Sequence, residues 1–490
     1  MKKKRSAILF FVAAFSLSPV LAASELIPLE ELKPLDLADG PTNKHSFQYG
    51  LSAANTGISD SANLKSGFFL GSYRPYFRYL YNETYLFSAR GRVAYEYNNS
   101  LTAAQQAAGQ TAATGLYGLE LFNAEFRFGN HKLVMGRSFF KTGRGLLFAN
   151  FADGVEYSGV FRYAKITAMG SYSAQYSGCA LSLSGCGFSG QIAQKGAYDV
   201  TPGRTIDANL PNAGKRFFAS LEAESPQVFG SSAYALAFYS YDLDQSTVAT
   251  TDASTGRVAG QRYTFNPLYF GLGFSGYVVS PRIRYLAEGI YETGSTYNKV
   301  NALTGVSEQS TVRAWGFTFD LNYALPVLEA KLMPGLIFQY ATGSGRNTAA
   351  GSGANTANAA QENLTGSDTN LFYFGYYSAG LALKPKLSNL HIFRWGFQLR
   401  PLNHYHWGRN FMTVFKYSYY LKQVAANAIS DPNATMPGAQ VGQGLDAQLV
   451  YDFTSDLKFF YAYGAFIPGA AYATGADVVQ IHILSVNLIF

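Results

Sequence analysis

Charge is scarce in this 490-residue chain: Asp, Glu, Lys and Arg make up 14% of it, where an ordinary soluble domain carries about 25%. Tryptophan (3) and cysteine (2) are nearly absent, and two cysteines exclude a disulfide-framework protein. Low charge beside 48% hydrophobic residues excludes disorder, which needs the opposite balance. The composition fits neither collagen nor a coiled coil. Long apolar runs are missing too. Past the N-terminus no stretch reaches the ~20 residues that a spanning helix needs, and mean hydropathy is −0.02, so a helical membrane protein is excluded.

What the chain does have is 36 Tyr, 38 Phe and 49 Gly. Aromatic and glycine-rich, poor in charge, neutral in hydropathy: this is the composition of a membrane β-barrel, where half of each strand meets lipid and half meets water. The net charge of +7 includes Lys2, Lys3, Lys4 and Arg5. Without those four, basic residues exceed acidic ones by three, which gives no argument for nucleic acid. Residues 1–23 read as a secretory signal: a basic start, an apolar run from Ala7 to Ser16, then small residues up to an expected cleavage after Ala22 or Ala23. A polar periplasmic lead-in is expected over 24–44, and the barrel over 45–490.

From there the chain repeats blocks of alternating polarity separated by turns. In one, Phe87, Ala89, Val93, Tyr95 and Tyr97 share a face opposite Ser88, Arg90, Arg92 and Glu96. In another, Phe393, Trp395, Phe397 and Leu399 oppose Arg394, Gln398 and Arg400; in a third, Leu445, Leu449, Tyr451 and Phe453 oppose Asp446, Gln448 and Asp452. The pattern predicts an all-β chain, a transmembrane antiparallel barrel of about eighteen strands. They begin near 45, 67, 84, 116, 131, 152, 163, 215, 231, 262, 281, 310, 328, 389, 408, 443, 456 and 477. Short turns alternate with long polar connections, as periplasmic turns alternate with external loops in outer-membrane barrels. Stretches 139–151 and 343–388 are the candidates for loops folding into the pore. The chain closes on Phe490, an aromatic terminus that resembles the signal read by the outer-membrane barrel assembly machinery. Cys179 and Cys186 fall in one long loop and are expected to pair as a disulfide in an oxidising compartment.

Strand parity assigns a cationic lining to the lumen: Arg74, Arg78, Arg90, Arg92, Arg137, Lys165, Arg282, Arg284, Arg394, Arg400 and Lys416, against Glu96, Glu125, Glu288, Asp320, Asp446 and Asp452. Guanidinium groups hold carboxylates bidentately, and rings of Arg or Lys select anions. The competing interpretation is that these arginines pair with the acids and simply hold the interior together. Catalysis finds no support. His404 and His406 are spaced as metal ligands could be, but no Cys or Asp lies close by, and interface anchoring by Tyr405 and Trp407 fits the segment better. No G-x-S-x-G elbow is present. Gly343-Ser344-Gly345-Arg346 opens no helix, so it is no phosphate loop. No catalytic residue, metal or cofactor is expected.

Several segments resemble the alginate export porin family: Tyr73-Arg74-Pro75 with the hairpin from Phe77 to Tyr97; Val134-Met135-Gly136-Arg137-Ser138-Phe139 running on to Asp153-Gly154-Val155-Glu156; Leu387-Ser388-Asn389-Leu390, Phe411 to Lys422 and Gly444-Leu445-Asp446. The resemblance implies an eighteen-stranded monomeric barrel in the outer membrane, among lipid and lipopolysaccharide. It also implies an electropositive constriction passing an anionic uronate polymer outward with a periplasmic export partner. Arg74 and Arg137 match the family's constriction arginines. The family's arginine in the fourth strand is Glu120 here, and another, before the Ser-Asn-Leu segment, has no counterpart; a relative carrying another anionic or neutral solute fits equally well. The expected function is an arginine-lined outer-membrane channel for anionic solutes, with uronate chains as candidates for export or uptake. The alternatives are a general diffusion porin, a loop-plugged barrel acting as a surface adhesin, and a barrel lipase or protease.

Overall fold

The computed structural model describes residues 45–60, 66–82, 84–98, 113–173, 216–243, 264–278, 281–300, 307–326, 332–345, 367–383, 385–431, 433–454 and 457–489. The expected signal at 1–23, the lead-in at 24–44, the Cys179–Cys186 pair and Phe490 lie outside the described residues.

Alternating polarity becomes eighteen strands. The first nine are β1 (His45–Asp60), β2 (Ser66–Tyr81), β3 (Tyr85–Asn98), β4 (Ala113–Phe128), β5 (His131–Thr142), β6 (Phe148–Val160), β7 (Lys165–Ser173), β8 (Arg216–Glu224) and β9 (Ser231–Asp242). Then follow β10 (Phe265–Tyr277), β11 (Ile283–Val300), β12 (Ser307–Ala324), β13 (Gly335–Gly343), β14 (Leu390–Leu399), β15 (Phe411–Lys422), β16 (Gln440–Asp452), β17 (Leu457–Pro468) and β18 (Val479–Ile489). Each pairs antiparallel with its chain neighbours, and β18 returns to β1 from Ser52↔Ile489 to Asp60↔Ile481. Closure has a physical cause: hydrocarbon offers no partner to a free backbone edge.

All but one of the strands start within four residues of the sequence-based positions. The exception is β13, expected near 328 and beginning at Gly335. Pro334 has no N–H to give a ladder, Met333 sits at φ 41°, and the turn closes instead through Leu325 N donating to Pro334 O at 2.9 Å.

Period-2 alternation separates two surfaces. Phe47, Phe77, Val93, Phe270, Trp315, Phe397, Leu445 and Leu484 are exposed on the outside, where lipid would cover them. Inside, the wall carries Arg74, Arg90 and Arg92 on β2–β3, buried Glu288, Asp320, Arg394 and Asp446 further round, and apolar patches between them. Adjacent residues show the split: Phe217 is 42% exposed on the outer face of β8, while Phe218 is fully buried inside. Inward-facing Phe218, Phe238, Phe265 and Tyr269 form a core with Phe140, Leu147 and Phe148 of the β5–β6 hairpin and with Leu371, Phe372 and Phe374 of the β13–β14 connection. Burying each such aromatic contributes about 2 kcal/mol, which is why these segments lie inside the barrel rather than above it.

Candidate functional site

The β5–β6 hairpin leaves the wall halfway up. β5 pairs with β4 from His131 to Arg137 and β6 pairs with β7 from Asp153 to Val160, while Ser138–Thr142 and Phe148–Ala152 pair with each other. The departure is marked by two glycines directly opposite one another, Gly136 and Gly154. Gly136 has φ 108°, and a Cβ there would collide with the carbonyl oxygen of Phe122. A Cβ on Gly154 would lie 2.5 Å from Gly170 O. Only glycine fits either position without displacement.

The hairpin crosses to the far wall and is fastened there at its tip. Gly143 N donates to Glu222 Oε2 (2.8 Å) and Arg144 N to Glu288 Oε2 (3.0 Å). The Arg144 guanidinium bonds Thr318 Oγ1 at 3.1 Å and pairs with Asp320, which also accepts from Gln339 Nε2 at 3.1 Å. Tyr234 Oη donates to Glu288 as well. Gly143 and Gly145 flank Arg144 with φ 56° and 92°, so the tight turn projects its one long cation at the wall.

The second insert, the described part of the β13–β14 connection, lies along this tip. Phe374, Gly375 and Tyr376 donate their N–H groups to the carbonyls of Leu147, Leu146 and Gly145 at 3.0, 3.0 and 3.2 Å. Phe372 N donates to Glu292 Oε2 (2.9 Å) and Tyr269 Oη to Phe372 O (2.7 Å). Further on, Leu381 N reaches Asp446 Oδ1 at 3.2 Å, and Tyr420 Oη donates to Ala379 O at 2.6 Å. Both stretches expected to fold inward, 139–151 and the described part of 343–388, therefore do so.

The opposite wall carries a cluster of three arginines. Arg74 on β2 and Arg90 and Arg92 on β3 converge on one carboxylate, Glu120 of β4. Their Nε atoms lie 3.2, 3.0 and 3.8 Å from its oxygens. A β-bulge places Glu120 there: Arg90 opposes Leu121 and Gly91 opposes Leu119, so Glu120 is the extra residue, turned inward as bulges re-aim side chains. The side chains of Arg74 and Arg90 are 4% and 8% exposed, yet Nη2 of each has no hydrogen-bond partner among the described residues. Phe151 of the hairpin covers the cluster, its ring 5.5 Å from Arg90 Cζ.

The other expected lining residues divide. Arg78 faces inward opposite Ser88, Lys416 opposite Asp446, and Arg284 opposite Asn322. Lys165 faces inward at the foot of β7, 3.8 Å from Glu224. Arg394 faces inward and is consumed in structure: Nε bonds Ser418 Oγ (3.0 Å), Nη1 bonds Gln339 Oε1 (3.0 Å), and Nη2 bonds Ser378 O (2.9 Å) and Ala379 O. It anchors the second insert. Three expectations are corrected. Arg137 lies on the outer parity, opposite Phe122, which is 50% exposed. It is clamped by Asp153 at 2.8 and 2.5 Å and bonds Leu119 O at 3.1 Å, so it braces the point where the hairpin departs and does not line the pore. Arg400 is exposed in the turn after β14, because Pro401 ends the ladder there; its N–H reaches Leu332 O at 2.7 Å. Arg282 also lies in a turn. His404 and His406 sit in a short turn whose aromatics stack, with Tyr405 and Trp407 5.8 Å apart. Arg144 was not foreseen as a site residue; Gly143-Arg144-Gly145 between Phe139-Phe140 and Leu146-Leu147-Phe148 was the signal available.

Comparison with known proteins agrees with this fold. The structure is similar to OccK8 (OprE) of Pseudomonas aeruginosa, with TM-score 0.53 at 9% identity over 91% of this chain and 98% of that one. It is similar to OccAB2 of Acinetobacter baumannii, with TM-score 0.51 at 11% identity over 91% and 98%. It is also similar to the outer membrane protein OpdK of P. aeruginosa, with TM-score 0.50 at 11% identity over 91% and 99%. At such identities the likeness establishes the fold. A search of curated sequences finds no match. The model of one family, described as alginate export, matches residues 223–483, more than half of the sequence. With a closed eighteen-stranded barrel around a polar and basic wall, the chain is an outer-membrane, porin-like channel, not an enzyme, and it belongs to the alginate export family.

Proposed function

We propose that this channel selects anionic solutes, carboxylate-bearing sugars such as uronate oligomers or polymers among them, and that Arg74, Arg90 and Arg92 form the selecting face. The observation behind this is a local crowding of cations: the guanidinium groups of Arg74, Arg90 and Arg92 all lie against the carboxylate of Glu120. Nη2 of both Arg74 and Arg90 remains without a partner among the described residues. Donors in that state favour an anion that brings its own acceptors. The proposal includes a periplasmic partner for polymer export and assembly through Phe490. The test is single-channel recording under a salt gradient with uronate oligomers added to one side. Anion selectivity and current block by the oligomers support the assignment; a cation-selective or non-selective current rejects it. The extent of the inserted core favours one other reading, a plugged barrel, for which folded protein would conduct nothing.

A further inference from the structure

The upper half of the β5–β6 hairpin has no strand beside it. Past Arg137 and before Asp153 its backbone pairs within itself, so its place in the lumen is set by its buried apolar face, Phe140, Leu146, Leu147 and Phe148, and by the polar contacts of its tip. The tip holds three carboxylates from three separate strands: Glu222 of β8, Glu288 of β11 and Asp320 of β12. Glu288 and Asp320 are buried, and the hairpin brings one cation to the group, Arg144. With that cation in place, the carboxylates accept two backbone N–H groups, the guanidinium, Tyr234 and Gln339. Without it they would be crowded like charges in a place short of water. The stable response is hydration of the carboxylates in the space the tip occupies, with the hairpin displaced. The same hairpin carries Phe151 over Arg90 and accepts the backbone of Phe374 to Tyr376, so its displacement would uncover the arginine face and free the second insert together.

We propose that Arg144 is the positioning residue of the pore: it latches the β5–β6 hairpin across the lumen to Glu222, Glu288 and Asp320, and release of the latch opens a wider conducting state. The solute-selecting arginines take no part in the ion pairing at the tip, so latch and selectivity are read separately. The sign of the wild-type reversal potential tests selectivity, and the size of the conductance in variants tests the latch.

The experiment is single-channel conductance of full-length protein in a planar bilayer, with folding checked by heat-modifiable gel mobility. A two-stranded ribbon is about 10 Å wide, so Arg144→Ala should raise conductance about two-fold or more. Asp320→Asn, which keeps its side-chain size, should do the same from the wall side, and the two should not add. Arg144→Asp combined with Asp320→Arg restores an opposite-charge pair and should bring conductance back towards the wild-type level. Unmutated channels should visit the wide level briefly, a readout that needs no variant. Wild-type conductance in folded Arg144→Ala or Asp320→Asn, or a wild-type channel that never leaves its low level, overturns the proposal.

Discussion

Removing one charge from the arginine face should move ion selectivity in a direction fixed by which charge is removed. Arg90→Ala takes one of three cations from around Glu120, and Glu120→Gln takes the anion they share while keeping its size. A unit charge about 7 Å from a passing ion interacts with it by about 0.6 kcal/mol even at the dielectric of water, close to RT. An anion's partition then changes about 2.7-fold and a cation's by the inverse, so the anion-to-cation permeability ratio should fall about seven-fold in Arg90→Ala and rise by a similar factor in Glu120→Gln. Lower local dielectric would enlarge both shifts. Arg137→Ala is the control. Its charge is matched by Asp153 at 2.5 Å and it shares its face with Phe122 on the outside of the wall, so the ratio should hold. Reversal potentials in a salt gradient near ~0.1 M read the effect, because the Debye length there is about 10 Å and distant charges are screened. A shift in Arg137→Ala as large as that in Arg90→Ala would refute the assignment of faces, and a loss of anion preference in Glu120→Gln would refute the electrostatics.

Three stability predictions follow from the geometry of the inserts. Gly136→Ala forces a Cβ against Phe122 O at φ 108° and should cost about 1–3 kcal/mol from backbone strain alone, read as a lower denaturant midpoint in detergent. Asn389 is buried at φ 54°; its Nδ2 donates to Val424, Asn427 and Ala428 carbonyls, each at 3.1 Å, and its Oδ1 accepts Val424 N at 2.8 Å. Asn389→Ala should cost about 1–3 kcal/mol for the groups left unpaired and make 424–428 a site of proteolysis from outside. Arg394→Ala removes charge-assisted bonds to Ser378 and Ala379, worth about 1.5–3 kcal/mol. It should expose 378–381 to added protease, whereas Lys416→Ala on the neighbouring strand should not.

Strand positions and faces were legible in the sequence because a strand's period is local: Ser88, Arg90 and Arg92 inside, Phe87 and Val93 outside, follow from alternation alone. Alternation failed where both faces are apolar. Leu133, Val134 and Met135 give no contrast, so parity does not fix the side on which Arg137 lies. The alternation of β14 extends to Arg400, but the strand ends one residue earlier, at Leu399, before Pro401. Phe218, Phe238 and Ala314, inward yet apolar, contradict the polar lumen expected of a channel until the inserted segments supply their partners.

The amino-acid order by itself determined a barrel of about eighteen strands, its outer aromatic face and the inward aim of Arg74, Arg90, Arg92 and Arg394, since each depends on neighbours one or two residues away. Only the tertiary structure decided that Glu120 is shared by three arginines, that Arg137 points out, and that Arg144, at the tip of the hairpin, meets Glu288 and Asp320. The groups Arg144 meets lie 144 and 176 residues further along the chain, and only closure of the wall and inward folding of the hairpin bring them within reach.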